Sequence, residues 1–483
     1  MPDEERPPRL LFVTSELTDF VKVGGLGEVS AALPRALRQT HDVRILIPGY
    51  RQVTESAEVR DVARLPAMAG LPECGIGRID MPDGLIVYVV TQASLYDRDG
   101  TPYGDRDGDD WYDNDIRFAR FSLAAAEISL GVPGLGWKPD LLHVNDWQAS
   151  LAPAYLAWRR CSIPSVLTIH NLAYQGLFDR ERLPVLGVPD HAFDIEGVEF
   201  YGRMSFLKAG IYYASHVTTV STTYAREITT PEFGCGLDGL LRTRASLNQL
   251  SGIINGVDES WDPLTDSHLV AAFEHRNLAG REHNARDARE TFGLDVSRGP
   301  LFAIISRLVH QKGIDLAIDT VDDIISRGGQ VAVTGCGEDA LEAALRDLAS
   351  RHPGRVGVRI GFDEAEARRL YAGSDFLLMP SRFEPCGLSQ MYAQRYGSLP
   401  IAHKTGGLAD TIEDEETGFL FADLSAPSLA GAVVRAFESF GCQHKLARMR
   451  RRAMKRPANW RQSSRRYAEL YEILIGDTRY LRA

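Results

Sequence analysis

The chain has few cysteines for its length, six in 483 residues, and none of them stands in the Cys-x-x-Cys spacing of zinc ribbons and dithiol redox sites. Cys74, Cys161, Cys235, Cys336, Cys386 and Cys442 are scattered, as suits a reducing compartment. No apolar run approaches the length needed to cross a bilayer. The opening residues, "MPDEERPPRL", lack the apolar core of a signal peptide and the Arg/Ser-rich, acid-poor character of a transit peptide. A cytoplasmic protein with no membrane partner is expected. The chain is also short of positive charge: 54 Lys+Arg face 65 Asp+Glu, a formal net charge of −11, which argues against a general nucleic-acid partner. One basic run, "RMRRRAMKR" (Arg448–Arg456), stands against that balance and reads as a solvated helix face.

What is present is an ordinary globular composition, 44% hydrophobic and 25% charged, in a chain too long for one core. Apolar, β-branched runs alternate with helical patterns. Arg9–Leu17, Asp42–Tyr50, Asp140–Trp147, Ser165–Asn171 and His216–Thr222 read as strands of a first half. Pro300–Leu308, Gln330–Gly337, Gly357–Phe362 and Asp375–Arg382 read as strands of a second. Continuous apolar strands with helices between them imply α/β sheets covered on both faces. Turn residues cluster in "GIINGVDESWDPLTD" (Gly252–Asp266), and the seam is placed there.

The stretch "KVGGLGE" (Lys22–Glu28) runs into a helical pattern. Glycines ahead of a helix leave its first N–H groups bare at the positive end of the dipole, a ready phosphate site. A nucleotide-triphosphatase loop would place its lysine after the glycines, and a dinucleotide fingerprint would place a third glycine where Ser30 stands. Neither fits. The plain alternative is a turn whose glycines let backbone pass close to backbone, a reading that leaves Lys22 without a task. "KTGGLAD" (Lys404–Asp410) repeats the pattern in the second half. Two doubly wound domains would thus each offer a glycine-loaded helix start beyond the carboxyl ends of its strands.

Polar residues cluster at strand exits. Asn145 and Asp146 end one strand, and His170 and Asn171 another. Arg307 and Lys312 surround the turn after Pro300–Leu308, two cations suited to a departing diphosphate. Glu384 precedes Pro385 and a helix start. A carboxylate there binds sugar hydroxyls or faces a cationic transition state, or else merely complements the helix dipole. The aspartate-rich "DRDGDDWYDND" (Asp105–Asp115) reads as a hydrated surface loop and not as a metal–diphosphate motif.

On these stretches the chain resembles bacterial glycogen synthases and plant starch synthases over nearly its whole length. The resemblance also takes in "PYGD" at Pro102, "HNLAYQG" at His170, "FYGRMSFLKAGIYYA" at Phe200, "NGVD" at Asn255, "SRLVHQKG" at Ser306, "PSRFEPCGL" at Pro380 and "TGGLADT" at Thr405. It implies two Rossmann-like doubly wound domains facing a deep cleft, the type B glycosyltransferase architecture. The domains are set at 1–255 and 256–456, with 457–483 as a helix returning to the first.

It further implies a retaining transfer of glucose from ADP-glucose to the 4-hydroxyl end of an α-1,4-glucan, such as a glycogen primer, without a metal or other cofactor. UDP-glucose as donor, or another acceptor, is the alternative. Carried onto matching positions, Lys22, Gly24, Gly25, Arg307 and Lys312 meet the donor phosphates, joined by amides around Gly387 and Leu388. Glu384, Gly406 and Gly407 hold the glucose, while Asp146, His170 and Asn255 line the sugar site. Tyr103 serves the acceptor, and Phe362 lies beside the nucleobase. Three positions depart from the usual pattern: Glu28 replaces Asp, Asn145 replaces His, and Phe362 replaces a stacking Tyr.

Overall fold

Strand exits, set by the order of the sheets, decide where this protein can do chemistry. The computed structural model describes residues 6–456 and 459–480. Of the domain limits expected from sequence, 1–5, 457–458 and 481–483 lie outside the described residues. The chain divides into two compact units. The first runs to Val220, resumes over Ala225–Gly256 and includes the helix Trp460–Tyr480; the second comprises Ser221–Tyr224 and Val257–Asn459.

In chain order the first unit's strands are β1 (Arg9–Val13), β2 (Asp42–Pro48), β3 (Arg60–Leu65), β4 (Cys74–Asp80), β5 (Ile86–Thr91), β6 (Leu141–Asn145) and β7 (Ser165–Ile169). They continue with β8 (Leu177–Phe178), β9 (Glu199–Phe200), β10 (Arg203–Ser205), β11 (His216–Thr219) and β12 (Leu250–Gly252). Nine of them form one sheet in the order β12-β11-β7-β6-β1-β2-β5-β4-β3, and β8-β10-β9 make a small antiparallel sheet. The large sheet is parallel from β12 to β5 and antiparallel at the β4 and β3 edge, a hairpin extension that the strand pattern above did not contain. Its middle strands β6 and β7 are buried at every position, which is why they read as unbroken apolar runs.

The helix Trp460–Tyr480 is tied to this sheet by its own polar groups. The Tyr471 hydroxyl lies 2.6 Å from His143 Nδ1 on β6, and Ser463 donates to the Ile254 carbonyl at 2.6 Å.

The second unit carries β13 (Leu301–Ile305), β14 (Gln330–Gly335), β15 (Val356–Ile360), β16 (Phe376–Met379), β17 (Leu399–His403) and β18 (Phe419–Phe421), ordered β15-β14-β13-β16-β17-β18 and parallel throughout. Its core joins Phe302, Ile304, Val331, Val333, Phe376 and Leu399 to the apolar faces of the covering helices. In both sheets the strand order reverses beside a central strand, between β1 and β6 in one and between β13 and β16 in the other. Such a reversal opens a crevice at the carboxyl ends of the strands.

Two surface expectations come out differently. The basic run covers the end of the helix Gln443–Lys455 and its C-cap Arg456; Arg448, Arg451, Arg452 and Lys455 are exposed as a solvated face would have them, but Arg450 and Arg456 are half-buried and paired with Asp375 and Glu413. The aspartate-rich stretch is exposed only as far as Tyr112. Asp113 and Asp115 are buried, held by Arg98 and Arg182 at the start of the helix Asn114–Leu130, so the hydrated-loop reading is corrected for its last three residues. Two carboxylates there are structural counter-ions.

Candidate active site

In the first unit the site is built at the exits of β1, β6 and β7. β1 ends at Val13, and the chain crosses Ser15 and Glu16 before reaching the glycine loop and the helix Gly25–Leu37. Gly24 is the N-cap and has no side chain to cap with, so the helix start is left to the backbone. Glu16 is buried and takes over part of that work: its Oε2 accepts from the Val23 and Gly24 N–H groups at 2.8 and 2.9 Å.

The expectation that the Gly24 amide is open to a donor phosphate is therefore corrected. That hydrogen is already bound by Glu16. Gly25, the first helical residue, is exposed. Lys22 does not stand free either, because its Nζ lies 2.5 Å from Glu28 Oε1. Glu28, one of the three departures from the usual pattern, thus neutralises the lysine expected to meet phosphate.

Tyr103 is brought to the same place. Its hydroxyl donates to Glu16 Oε1 at 2.6 Å and lies 2.9 Å from Ser15 Oγ. Burial and the neighbouring carboxylate push that phenol well above its ordinary range, so it acts as a neutral donor.

Asp146, directly after β6, has φ +52, a left-handed conformation that Asp tolerates better than most residues. Its Oδ1 accepts from the His170 N–H at 2.7 Å, and the Asn171 N–H also donates to the carboxylate, so the exits of β6 and β7 are clamped together. Although part of its surface is accessible, protein surrounds the carboxyl, and burial pushes it up to about 7, helped by Glu16 and opposed by those two N–H groups.

His170 is held low, at about 3, by burial. It is a neutral imidazole at working pH. Asn145 Nδ2 donates to the Val13 carbonyl at 3.0 Å, which leaves Asn145 Oδ1 to accept from His170 Nε2, also at 3.0 Å. The proton of the imidazole is therefore on Nε2, and Nδ1 is its acceptor. Asn145, read from sequence as a strand-exit residue and a departure from the usual pattern, sets this tautomer. Asn255 follows β12, is buried, and its Oδ1 lacks a hydrogen-bond partner among the described residues. A polar atom left so is matched when a hydroxyl or amide donor arrives.

Asp146 gives a signed pH dependence. Folded, its carboxyl titrates near 7; unfolded, it titrates at about 4. Between those values the folded chain holds a proton that the unfolded chain has lost, so the stabilisation is greatest below the window and falls as pH rises through it. Asp146→Asn does not titrate. Its thermal midpoint, relative to wild type, is expected to climb from about pH 4.5 to 7.5. A constant difference across that range would remove the raised carboxyl from the account.

In the second unit three loops follow the adjacent strands β13, β16 and β17. Lys312, at the end of the 3-10 turn His310–Lys312, reaches Glu384 Oε2 at 2.6 Å, and Ser381 Oγ donates to the same oxygen at 3.0 Å. Glu384 is 5% exposed, yet its Oε1 has no hydrogen-bond partner among the described residues. The helix after it begins only at Ser389, so complementing a helix dipole is not this carboxylate's task.

Gly406 and Gly407 explain the second glycine pair: a Cβ at either would overlap the carbonyl of Glu384 or Cys386, and the Gly407 N–H donates to the Glu384 carbonyl at 3.0 Å. Here the close passage of backbone is itself what sets Glu384. Gly387 has φ +70, and Leu388 is the N-cap of the helix Ser389–Arg395. Arg307 is exposed, with no side-chain hydrogen bond or ion pair among the described residues. Phe362, just beyond β15, is 63% exposed.

Sequence reasoning missed Glu16, Ser15 and Ser381. "TSEL" ends a strand pattern like any polar overhang, and the partners that give Glu16 its meaning are Val23, Gly24 and, far along the chain, Tyr103. Among the described residues no helix is long and apolar enough to cross a membrane.

Comparison with known proteins agrees with this fold. A family model described as starch synthase catalytic domain matches residues 9–243, and one described as glycosyl transferases group 1 matches 290–456. The chain is 58% identical over 471 residues to the glycogen synthase of Pseudomonas putida, covering 97% of this chain and 91% of that one. It is 60% identical over 459 residues to glycogen synthase 1 of Bradyrhizobium diazoefficiens, covering 95% and 99%.

Among solved structures, the catalytic domain of Starch Synthase IV from Arabidopsis thaliana, bound to ADP and acarbose, superposes with a TM-score of 0.85 at 32% identity, over 97% of this chain and 99% of that one. Sucrose-phosphate synthase from Thermosynechococcus elongatus shares the fold, with a TM-score of 0.62 at 18% identity over 97% and 100%. With a catalytic-domain match across the first unit, a group 1 match across the second and high identity over nearly the full length, this chain belongs to the glycogen synthase family of glycosyltransferases.

Proposed function

We propose that the chain moves glucose from ADP-glucose to the non-reducing 4-hydroxyl of an α-1,4-glucan, with retention at the anomeric carbon. The observation that carries this reading is the grouping at the exits of β13, β16 and β17: a buried carboxylate with one free oxygen, a lysine bound to its other oxygen, and an exposed arginine nearby in sequence. Such a set suits a sugar diphosphate. Glu384 Oε1 accepts from a sugar hydroxyl, while Lys312, with two further N–H groups, and Arg307 meet the phosphate charge that grows as the donor breaks. These two cations supply the positive charge that a metal would otherwise bring, and the reading needs no metal.

In the first unit, His170 Nδ1 and the Asn255 amide are acceptors for sugar hydroxyls, and Tyr103 belongs to the acceptor side. The bond from C1 to the phosphate oxygen breaks. The bond from C1 to the acceptor O4 forms on the same face, and the departing phosphate oxygen takes the hydroxyl proton. An oxocarbenium-like ion pair lies between the two events. The six cysteines, none of them in a disulfide, accord with a cytoplasmic setting.

The donor base rests on Phe362. Its exposed ring offers a stacking face, and adenine covers more of it than uracil. ADP as the ligand of the Arabidopsis relative supports the choice. Steady-state kinetics on one glycogen primer, with both donors and with chelator present, tests the whole reading. ADP-glucose is expected to lead UDP-glucose in kcat/KM by about 1–3 kcal/mol, and Phe362→Ala to narrow that lead. Equal or better use of UDP-glucose overturns the donor, and failure of glucan to grow with either donor overturns the transferase.

A further inference from the structure

Glu16 is 4% exposed, a poor place for a carboxylate unless both oxygens are bonded. They are, and to different things. Oε2 holds the Val23 and Gly24 N–H groups of the glycine loop at 2.8 and 2.9 Å, and Oε1 holds the Tyr103 hydroxyl at 2.6 Å. Backbone bonds pin the loop on either side, between Leu17 and Val21 and from the Thr18 N–H to the Gly27 carbonyl, and between those points Glu16 takes the Val23 and Gly24 N–H groups. The N-cap has no side chain, and the Lys22 contact to Glu28 lies at the surface. Tyr103 for its part sits ahead of a highly exposed stretch, with Ser15 beside its hydroxyl at 2.9 Å. A single side chain therefore sets both the backbone that leads into the helix Gly25–Leu37 and the phenol on a loop far along the chain.

We infer that Glu16 is a positioning residue that holds the glycine loop, and with it the exposed helix start at Gly25, for the donor and Tyr103 for the acceptor at once, an assignment that rests on the glucosyltransferase reading above. The role is one of geometry. A glutamine in its place keeps a carbonyl oxygen for the two backbone N–H groups and turns an N–H toward the Tyr103 oxygen, whose own O–H then donates to Ser15 Oγ. Alanine leaves both arms unmade. Aspartate, one methylene shorter, cannot reach both.

The experiment measures KM for ADP-glucose, KM for glycogen and kcat in wild type, Glu16→Ala, Glu16→Gln and Glu16→Asp, with amide hydrogen exchange at Val23 and Gly24. Glu16→Ala is expected to raise both KM values about 10- to 100-fold, the scale of leaving buried donors unmatched. Glu16→Gln is expected to return both to within about threefold of wild type, and exchange at the two amides to be fast in the alanine variant and slow in the glutamine variant. Should Glu16→Ala fail to fold, Glu16→Asp carries the test, with at least one KM raised.

A purely structural carboxylate would lower the thermal midpoint and leave both KM values near wild type, and that result overturns the inference. So does a glutamine variant as impaired as alanine. The wild-type control separates the two levels: no ADP release with glycogen present defeats the function proposed above, whereas normal turnover with unmoved KM values defeats only the role of Glu16.

Discussion

Lys312→Ala is expected to lower kcat by about two to three orders of magnitude, the scale seen when one preorganised stabiliser of developing charge is removed. The lysine does more than wait for phosphate. Its Nζ is 2.6 Å from Glu384 Oε2, and Glu384 is buried, so removing the cation also leaves a carboxylate without its counter-charge. The thermal midpoint is therefore expected to fall as well. Glu384→Ala is expected to be as severe in kcat with a smaller fall in midpoint, since the side-chain amine, only partly buried, regains water.

Because the two groups act as a pair, the double variant is expected to lose far less than the product of the single losses. Lys312→Arg, which keeps the charge, should recover part of the turnover. Near-normal kcat for Lys312→Ala at an unchanged midpoint would take the lysine out of the reaction.

Gly407→Ala is expected to be nearly as damaging to turnover for a reason of space alone. A Cβ there would run into the backbone of Cys386, and the Gly407 N–H that donates to the Glu384 carbonyl would have to move with it. Forcing an extra carbon into a filled backbone contact costs about 1–3 kcal/mol, and relief by moving 384–386 would carry the Glu384 carboxylate away from Lys312. Loss of kcat of about 100-fold or more is expected, since displacements of an ångström at a reacting centre have effects of that size.

Gly431 supplies the control. It lies inside the helix Ala426–Gly441 with open space where a Cβ would stand, so Gly431→Ala should leave kcat alone and stabilise by about 0.5–1 kcal/mol. If Gly407→Ala and Gly431→Ala behave alike, the backbone contact does not set the carboxylate.

The strands read from sequence are all present, but each ends short of the apolar-plus-polar run that announced it. Ser165–Asn171 stops at Ile169, Asp140–Trp147 at Asn145, and Pro300–Leu308 at Ile305. The residues left over are His170, Asp146 and Arg307, with their chemistry. A buried strand is a one-dimensional pattern, since both faces demand apolar side chains, and its exit is where polar residues first become tolerable. The β3–β4 edge was not legible, because an edge strand open to water on one side carries charges such as Arg60, Asp61 and Arg64 and reads as a loop.

Local sequence determined the period and class of the elements, the two glycine-loaded helix starts, and the cations and carboxylates at the strand exits, since these follow from backbone sterics and from where a chain leaves a sheet. Only the tertiary structure decided which of those groups are spoken for. Lys22 is matched by Glu28, the Gly24 N–H by Glu16, Lys312 by Glu384, and the second glycine pair by the backbone of 384–386. Pairing of this kind joins residues that are six positions apart in one case and 72 in another. Hydrogen bonds and close contacts reach only a few ångströms, so which partner answers each group depends on how the strands are ordered in the sheet, and no stretch of the chain read by itself contains that order.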